Sequence, residues 1–338
     1  MLYLPLRGPI LPYSRYQLTG RSLTRLDAGP AGHYSAMSER PGLPIAPADA
    51  VEDFGLFGPR SVTWRVHLEP VLWVAGFRAL YLQALHPRVM RGTAQNSALF
   101  DRDRAWQRFQ RTADFVGIRT FGTSEEVAQV GRRVRRMHAR LRGYDPDTGD
   151  QFRIDDPELL LWVHCSEIDS YVNIAHRAGI LTSTAEADAY VAESPRAAQV
   201  VGLPADEAPA STGELADYFA RMRPRLYACP EAAQALVRSL NPPLPLPRLF
   251  SPLKLAVPPF VALSFAVLPR WARRLYGAPG LPTTDLAATL ALRALRQAST
   301  LLPDPPPVQR ARRLIQLAQD VNTDPPRLTF RRPGQDWP

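Results

Sequence analysis

Lysine is nearly missing from this chain. Of 41 basic residues among 338, Lys254 is the sole lysine and the rest are arginines. Together with abundant alanine and 35 prolines, that ratio reads as the imprint of a GC-rich genome. The net charge of +9 is therefore weak support for a nucleic-acid partner. The arginines are scattered, and zinc-finger spacing, a basic region with heptads and RNA-binding aromatic motifs are all lacking. No nucleic-acid binding is expected; a basic face resting on anionic lipid fits the charge better.

Cysteine is scarce too. Cys165 and Cys229 cannot build a disulfide framework, which excludes a small stapled scaffold. A long hydrophobic run is also missing. The best candidate, Leu255 to Leu268, is short and carries Pro258 and Pro259, so it is no transmembrane helix. It reads as a proline-broken buried segment, with an apolar lid or a membrane-touching segment as the other readings. No apolar run precedes a small-residue cleavage site near the start, so a cytoplasmic protein is expected, with membrane association the variant reading. The common catalytic signatures are absent as well: there is no nucleophile elbow, phosphate-cradling loop, dinucleotide glycine fingerprint or His-Glu-x-x-His helix.

What is present is helical. Hydrophobic residues make up 45%, ample for a large core. Residues 1–50 are rich in Gly, Pro, Ser and Arg, lack periodicity and read as a disordered arm; Met37 could be the natural start. Ser61 is an N-cap for an apolar run that should stop at His86, before Pro87, with Pro70 kinking or splitting it. A second helix is expected over 101–115, with Ala105, Trp106, Phe109, Ala113 and Val116 on its buried stripe. A third spans 124–141, capped by Ser124, with Val127, Val130, Val134, Met137 and Leu141 buried and most arginines opposite. A fourth runs from Pro157 to Ala178, capped by Asp156 and ended by Gly179. Further helices are expected at 184–193, 212–227, 230–239, 260–275, 283–300 and 306–320, with 241–259 wrapping the surface. No alternating strands or internal repeats are evident. The fold class is all-α: one large helical domain over 51–325 with proline-rich connections and a frayed tail at 326–338.

Six histidines are candidates for chemistry. His138 follows Val134 by four, at the edge of an apolar stripe; spacing alone leaves a satisfied core histidine and a haem or metal ligand both open. His164 lies in the middle of the apolar face of the fourth helix, where a buried, hydrogen-bonded histidine competes with a cofactor role. His86 ends a helix; His67 and His176 carry no special signal. Arg108 and Thr112 share a helix face and could meet a carboxylate or bound dioxygen, or Arg108 could merely snorkel over its neighbours. His138, His164 and Glu167 could also form a two-histidine, one-carboxylate iron site if their helices face each other.

Several segments together resemble a known family. They are Gly58-Pro59, Ser61-Val62-Thr63-Trp64, Ala84-Leu85-His86-Pro87, Trp106-Gln107-Arg108-Phe109-Gln110-Arg111-Thr112, Phe121-Gly122, and Val134 to Gly143 around His138. Pro157 to His164 follows at matching spacing. The set is similar to the MpaB-type and latex-clearing rubber oxygenases, most clearly over residues 54–180. That resemblance implies a globin-like helical core holding haem b through its iron, with His138 as proximal ligand. It puts Arg108 and Thr112 in the distal region, with Arg108, Arg111 and His164 about the cofactor. The reaction it implies is oxidative cleavage by dioxygen of a C=C bond in an apolar, isoprenoid-like substrate. Arg111 stands where the rubber oxygenases have an iron-capping lysine, and their distal glutamate has no match. Arginine stays protonated and is a poor ligand, so oxygen chemistry on haem is expected more than rubber cleavage itself. Two other classes remain: a non-haem iron or haem oxidase of a small metabolite, and a non-catalytic helical protein that binds haem or lipid.

Overall fold

Ser61 opens the first helix. Its hydroxyl accepts from the Trp64 amide at 3.0 Å, so α1 (Val62–His67) starts at the expected cap. The computed structural model describes residues 53–97, 101, 104–240, 252–301, 303–304 and 306–320; within its helices only the backbone is described at 106, 240, 252–256, 306–307 and 319–320. The expected arm at 1–50 and tail at 326–338 lie outside the described residues.

Pro70 splits the first apolar run. Leu72–Gln83 forms α2 as a separate helix, and Pro87 begins α3 (Pro87–Asn96) where the sequence suggested only a stop. Proline is favoured in the first turn because the amide it lacks would have no partner there. Then come α4 (Ala105–Phe121) and α5 (Ser124–Arg140). The first outruns its expected end at 115, since its buried last turns carry it past Gly117. The cap of α5 is Thr123, not Ser124: Thr123 and Glu126 form a reciprocal capping box.

A two-stranded antiparallel hairpin follows, β1 (Arg142–Asp145) and β2 (Asp150–Arg153), which the sequence did not reveal. Four-residue strands are too short to show alternation. The hairpin is held by tertiary contacts instead. Asp145 is buried and binds Arg88 at 3.1 Å and Arg91, both on α3.

The core is built on α6 (Pro157–Arg177) and α2. Asp156 caps α6, Pro157 opens it and Gly179, at φ +73°, follows its end, as expected. Trp162 Nε1 donates to the Gln83 carbonyl at 3.1 Å, and Gln83 Nε2 donates to the Val163 carbonyl at 3.2 Å, lacing the pair together. Arg78 of α2 is buried where an apolar residue would be expected. It binds Asp169 at 2.8 Å, Ser170 Oγ at 2.7 Å and the Val267 carbonyl at 3.2 Å, which satisfies its charge.

Around this pair lie α7 (Thr184–Glu193), α8 (Pro195–Val201), α9 (Thr212–Met222), α10 (Pro230–Leu240), α11 (Pro252–Ala266), α12 (Arg270–Leu275), α13 (Pro282–Thr300) and α14 (Pro306–Asp320). The helix expected over 212–227 ends at Met222, and that expected over 260–275 divides at Pro269. Pro258 and Pro259 sit inside α11 without ending it. Val261, Val267 and Leu268 are buried and Phe260, Leu263 and Phe265 pack against the same core, while Pro259 and Ala262 are exposed, so 260–268 is amphipathic, with one face on the core. No helix among the described residues is long and apolar enough to cross a membrane. Both cysteines are free and buried, and burial pushes the Cys165 thiol up and that of Cys229 to about 11. The class is all-α, with the small hairpin as its one addition among the described residues.

Candidate functional site

The two residues between α4 and α5 turn the chain back on itself. His138 lies near the end of α5 and Arg108 near the start of α4, on two helices that pack against each other. His138 follows Gly131 by seven and Val127 by eleven, so it shares their buried face. Its Nδ1 is buried and has no hydrogen-bond partner. Burial lowers its proton affinity, opposed in part by Asp155. The ring is thus a neutral imidazole at pH 7, with a lone pair available to a metal.

Across the hairpin, Arg108 is partly buried and donates to Ser97 Oγ at 3.1 Å. Burial and the neighbouring Arg111 lower its proton affinity, though arginine remains cationic. Thr112 is exposed, and its hydroxyl donates to the Arg108 carbonyl at 3.1 Å. Arg111 is exposed. The apolar stripes expected to be buried here are only partly covered. On α5, Val127 is buried, Val130, Val134 and Leu141 are intermediate, and Met137 is 49% exposed. On α4, Phe109 meets Trp73 and Phe77 of α2 with ring centroids 5.8 and 5.3 Å apart, while Ala113 and Val116 are also intermediate. Arg133, Arg136, Met137, Arg140 and Leu141 line a surface hollow on the outer side of α5.

His164 occupies a different setting. It shares one face of α6 with Glu167 and Tyr171, and this face meets Arg119 of α4, His67 of α1 and Tyr190 of α7. Arg119 grips the Glu167 carboxylate through both terminal nitrogens, one contact at 3.2 Å. The His67 ring stacks on Tyr171 with centroids 4.5 Å apart, and its Nε2 lies 3.0 Å from the Tyr190 hydroxyl. Thr120 donates to the Val116 carbonyl at 2.8 Å and lies 3.4 Å from His67 Nδ1. With the threonine proton so used, the consistent tautomer has His67 Nδ1–H donating to Thr120 and Tyr190 donating to Nε2. Burial takes His67 down to about 3 and His164 to about 4, so both are neutral. His164 Nε2 is buried without a partner.

Sequence reasoning found His164 but missed His67, Arg119, Tyr171 and Tyr190. The signal was available for α6, since residues 164, 167 and 171 recur at helical spacing. Arg119 was legible as one cation among Phe115, Val116, Ile118 and Phe121. The two-histidine, one-carboxylate arrangement is not formed. Arg119 holds Glu167, and no group of three His, Cys, Asp or Glu side chains among the described residues is placed to hold a metal ion.

Against known proteins, residues 64–301 match the family described as ER-bound oxygenase mpaB/B'/Rubber oxygenase, catalytic domain. No curated protein and no solved structure matches the chain.

Proposed function

The chain belongs to the mpaB/rubber oxygenase catalytic-domain family, and from that premise we propose that it is a haem b-dependent oxygenase acting on an apolar substrate. The observation that carries the haem reading is the partnerless Nδ1 of His138, a neutral and partly buried imidazole. The group fits the residues present. His138 would hold its iron, and Arg108 would meet a haem carboxylate by a charge-assisted bond. The half-covered apolar side chains Phe109, Ala113, Val130 and Val134 offer a low-dielectric wall. Haem b would supply the redox-active iron that lets dioxygen react with a closed-shell substrate. The finer reading is cleavage of one C=C bond by one dioxygen molecule to give two carbonyl groups. In this reading Arg108 orients the charged edge of the cofactor, and its bond from Nε to Ser97 Oγ steers where the guanidinium points. Arg111 contributes positive potential without ligating.

The test is a visible spectrum of protein produced with ample iron and haem precursor, beside that of His138→Ala. The wild type should show a Soret band and the variant should lose it while keeping its helical circular dichroism. A colourless, iron-free wild type would sink the haem reading. Feeding isoprenoids and assaying for new carbonyl products then tests the substrate class.

A further inference from the structure

Among the described residues, Tyr190 of α7 is the one tyrosine whose hydroxyl meets a histidine. It donates to His67 Nε2 at 3.0 Å, and the residue is only 2% exposed. Other tyrosines are held differently. Tyr276 donates to the Tyr81 carbonyl at 2.7 Å, Tyr81 shares a hydrogen bond with Ser239, Tyr227 donates to the exposed Asp147 carboxylate, and the Tyr218 hydroxyl is buried without a partner. The difference is chemical. A phenol that loses an electron becomes a strong acid and sheds its proton to whatever atom it touches. The electron leaves by tunnelling and needs no opening, but the proton needs a base in contact. Carbonyl and hydroxyl oxygens are too weakly basic for that; a neutral imidazole nitrogen is not.

The surroundings set His67 up for this role. Its Nδ1–H is committed to Thr120, 3.4 Å away, whose own proton goes to the Val116 carbonyl, so Nε2 is left as the acceptor facing Tyr190. Burial and Arg119 weaken the ring as a base, yet an oxidised phenol is a far stronger acid than an imidazolium weakened in this way. Glu167, in the same cluster, favours the charged ring. Tyr171 covers one face of the imidazole with ring centroids 4.5 Å apart. A radical formed on Tyr190 would therefore be walled off from collision with solutes or with another chain, the usual end of radicals on exposed tyrosines.

We propose that Tyr190 and His67 form a buried redox pair, in which Tyr190 gives one electron to a strong one-electron oxidant while its hydroxyl proton passes to His67 Nε2. The phenol O–H bond breaks, an imidazole N–H bond forms, and the oxidant is reduced by one electron. The products are a neutral tyrosyl radical and a His67 imidazolium, and both revert when an electron returns. The pair can thus absorb a stray oxidising equivalent inside the protein. An iron centre that handles dioxygen is one source of such an oxidant, but the chemistry of the pair does not rest on the haem reading.

The experiment photo-oxidises the purified full chain with ruthenium(III) tris(bipyridine), generated by a flash in the presence of a cobalt(III) quencher. Electron paramagnetic resonance of samples frozen after the flash should show a tyrosyl signal that outlasts those of exposed tyrosines. Its formation should be slower in heavy water, because a proton moves with the electron. Tyr190→Phe keeps the ring and should lose the persistent signal; Tyr276→Phe, which removes a phenol bonded to a carbonyl, should keep it. His67→Gln leaves a polar partner that is not a base, and should abolish both the persistence and the heavy-water effect while helical circular dichroism is retained. The proposal is overturned if the wild type gives no persistent radical, if the signal survives in Tyr190→Phe, or if the wild-type rate is equal in light and heavy water. A folded His67→Gln that behaves as wild type would overturn it too, and should that variant not fold, the Tyr190→Phe and heavy-water results decide alone. Presence or absence of a Soret band changes none of these outcomes.

Discussion

Arg119 and Glu167 form a nearly enclosed ion pair, with side chains 5% and 15% exposed. Such a pair resists removal of one partner more than removal of both, because the survivor is left charged and unmatched. Arg119→Met should cost about 3–5 kcal/mol by urea denaturation, and Arg119→Met/Glu167→Met distinctly less. A double variant as unstable as the single one would show that the two side chains do not act as a pair. The neighbouring histidines make a second, independent statement. His67 and His164 stay neutral in the folded chain down to about 3 and about 4, whereas unfolded histidine takes up a proton below about 6.5. Between those limits the unfolded chain holds more protons, so stability falls as pH falls; above 6.5 both states bind alike and the effect vanishes. Each histidine contributes at most about 1.4 kcal/mol per pH unit in that window. His164→Gln should flatten the stability profile between pH 6 and roughly pH 4 by about that slope. An unchanged profile would mean that His164 is not the neutral buried group described.

Elements are joined here by a few polar clasps. The Glu193 carboxylate of α7 accepts from the Val62 and Thr63 amides and from the Thr63 hydroxyl, at 3.0, 2.8 and 2.6 Å, and so seats the helix that carries His67. Asp53 accepts from the Ser124 amide and hydroxyl and the Gly55 amide, tying the loop before α1 to the start of α5. Gly55 sits at φ +67° within this clasp, and a Cβ there would fall 1.9 Å from the Gly122 carbonyl oxygen. Both strain and backbone collision oppose any side chain, so Gly55→Ala should destabilise by about 2 kcal/mol or more, read as a lower urea midpoint. A midpoint within error of wild type would show that the loop is free to move off the α4–α5 turn.

These clasps also explain what the sequence could and could not disclose. Caps such as Ser61 and Asp156 are local, and they were legible because the residue and its partner lie within a few positions. Thr123 was misassigned by one place because Ser124 is an equally good capping type; its hydroxyl is drawn instead to Asp53, 71 positions away. Stripe burial was legible where helices pack on both sides, as in α2. It failed on α5, where Met137 and Val134 point to a side that the described residues leave partly open. His138 was found through its motif. The Arg119–Glu167–His67 cluster draws on three helices, and no local pattern announces such a meeting.

At the scale of the whole molecule, the α2–α6 pair sets the interior, and two groups of candidate residues lie around it among the described residues. One is carried by α4 and α5, which bear Arg108 and His138, the residues proposed to hold the cofactor. The other is the cluster around Glu167, whose ion pair with Arg119 is made within the protein while His164 Nε2 is buried without a partner. The all-α class and most helices followed from periodicity and punctuation. The hairpin at β1 and β2 did not, because its stability comes from Arg88 and Arg91 of α3 rather than from strand-forming sequence. The later, proline-rich helices were misjudged at their ends for a related reason: packing of α11 on α2 overrides Pro258 and Pro259.

The two enclosed thiols have a practical consequence. Cys165 is fully buried, and Cys229 is buried with its thiol held to about 11, so little thiolate forms on either near neutral pH. The protein as it stands is therefore nearly inert to maleimides and methanethiosulfonates. A single cysteine introduced on its exterior, at Leu290 for instance, becomes the one quick-reacting handle. A nitroxide attached there would report the mobility and solvent access of that helix face with no signal from the two native thiols, so the chain comes ready-made for site-directed spin labelling.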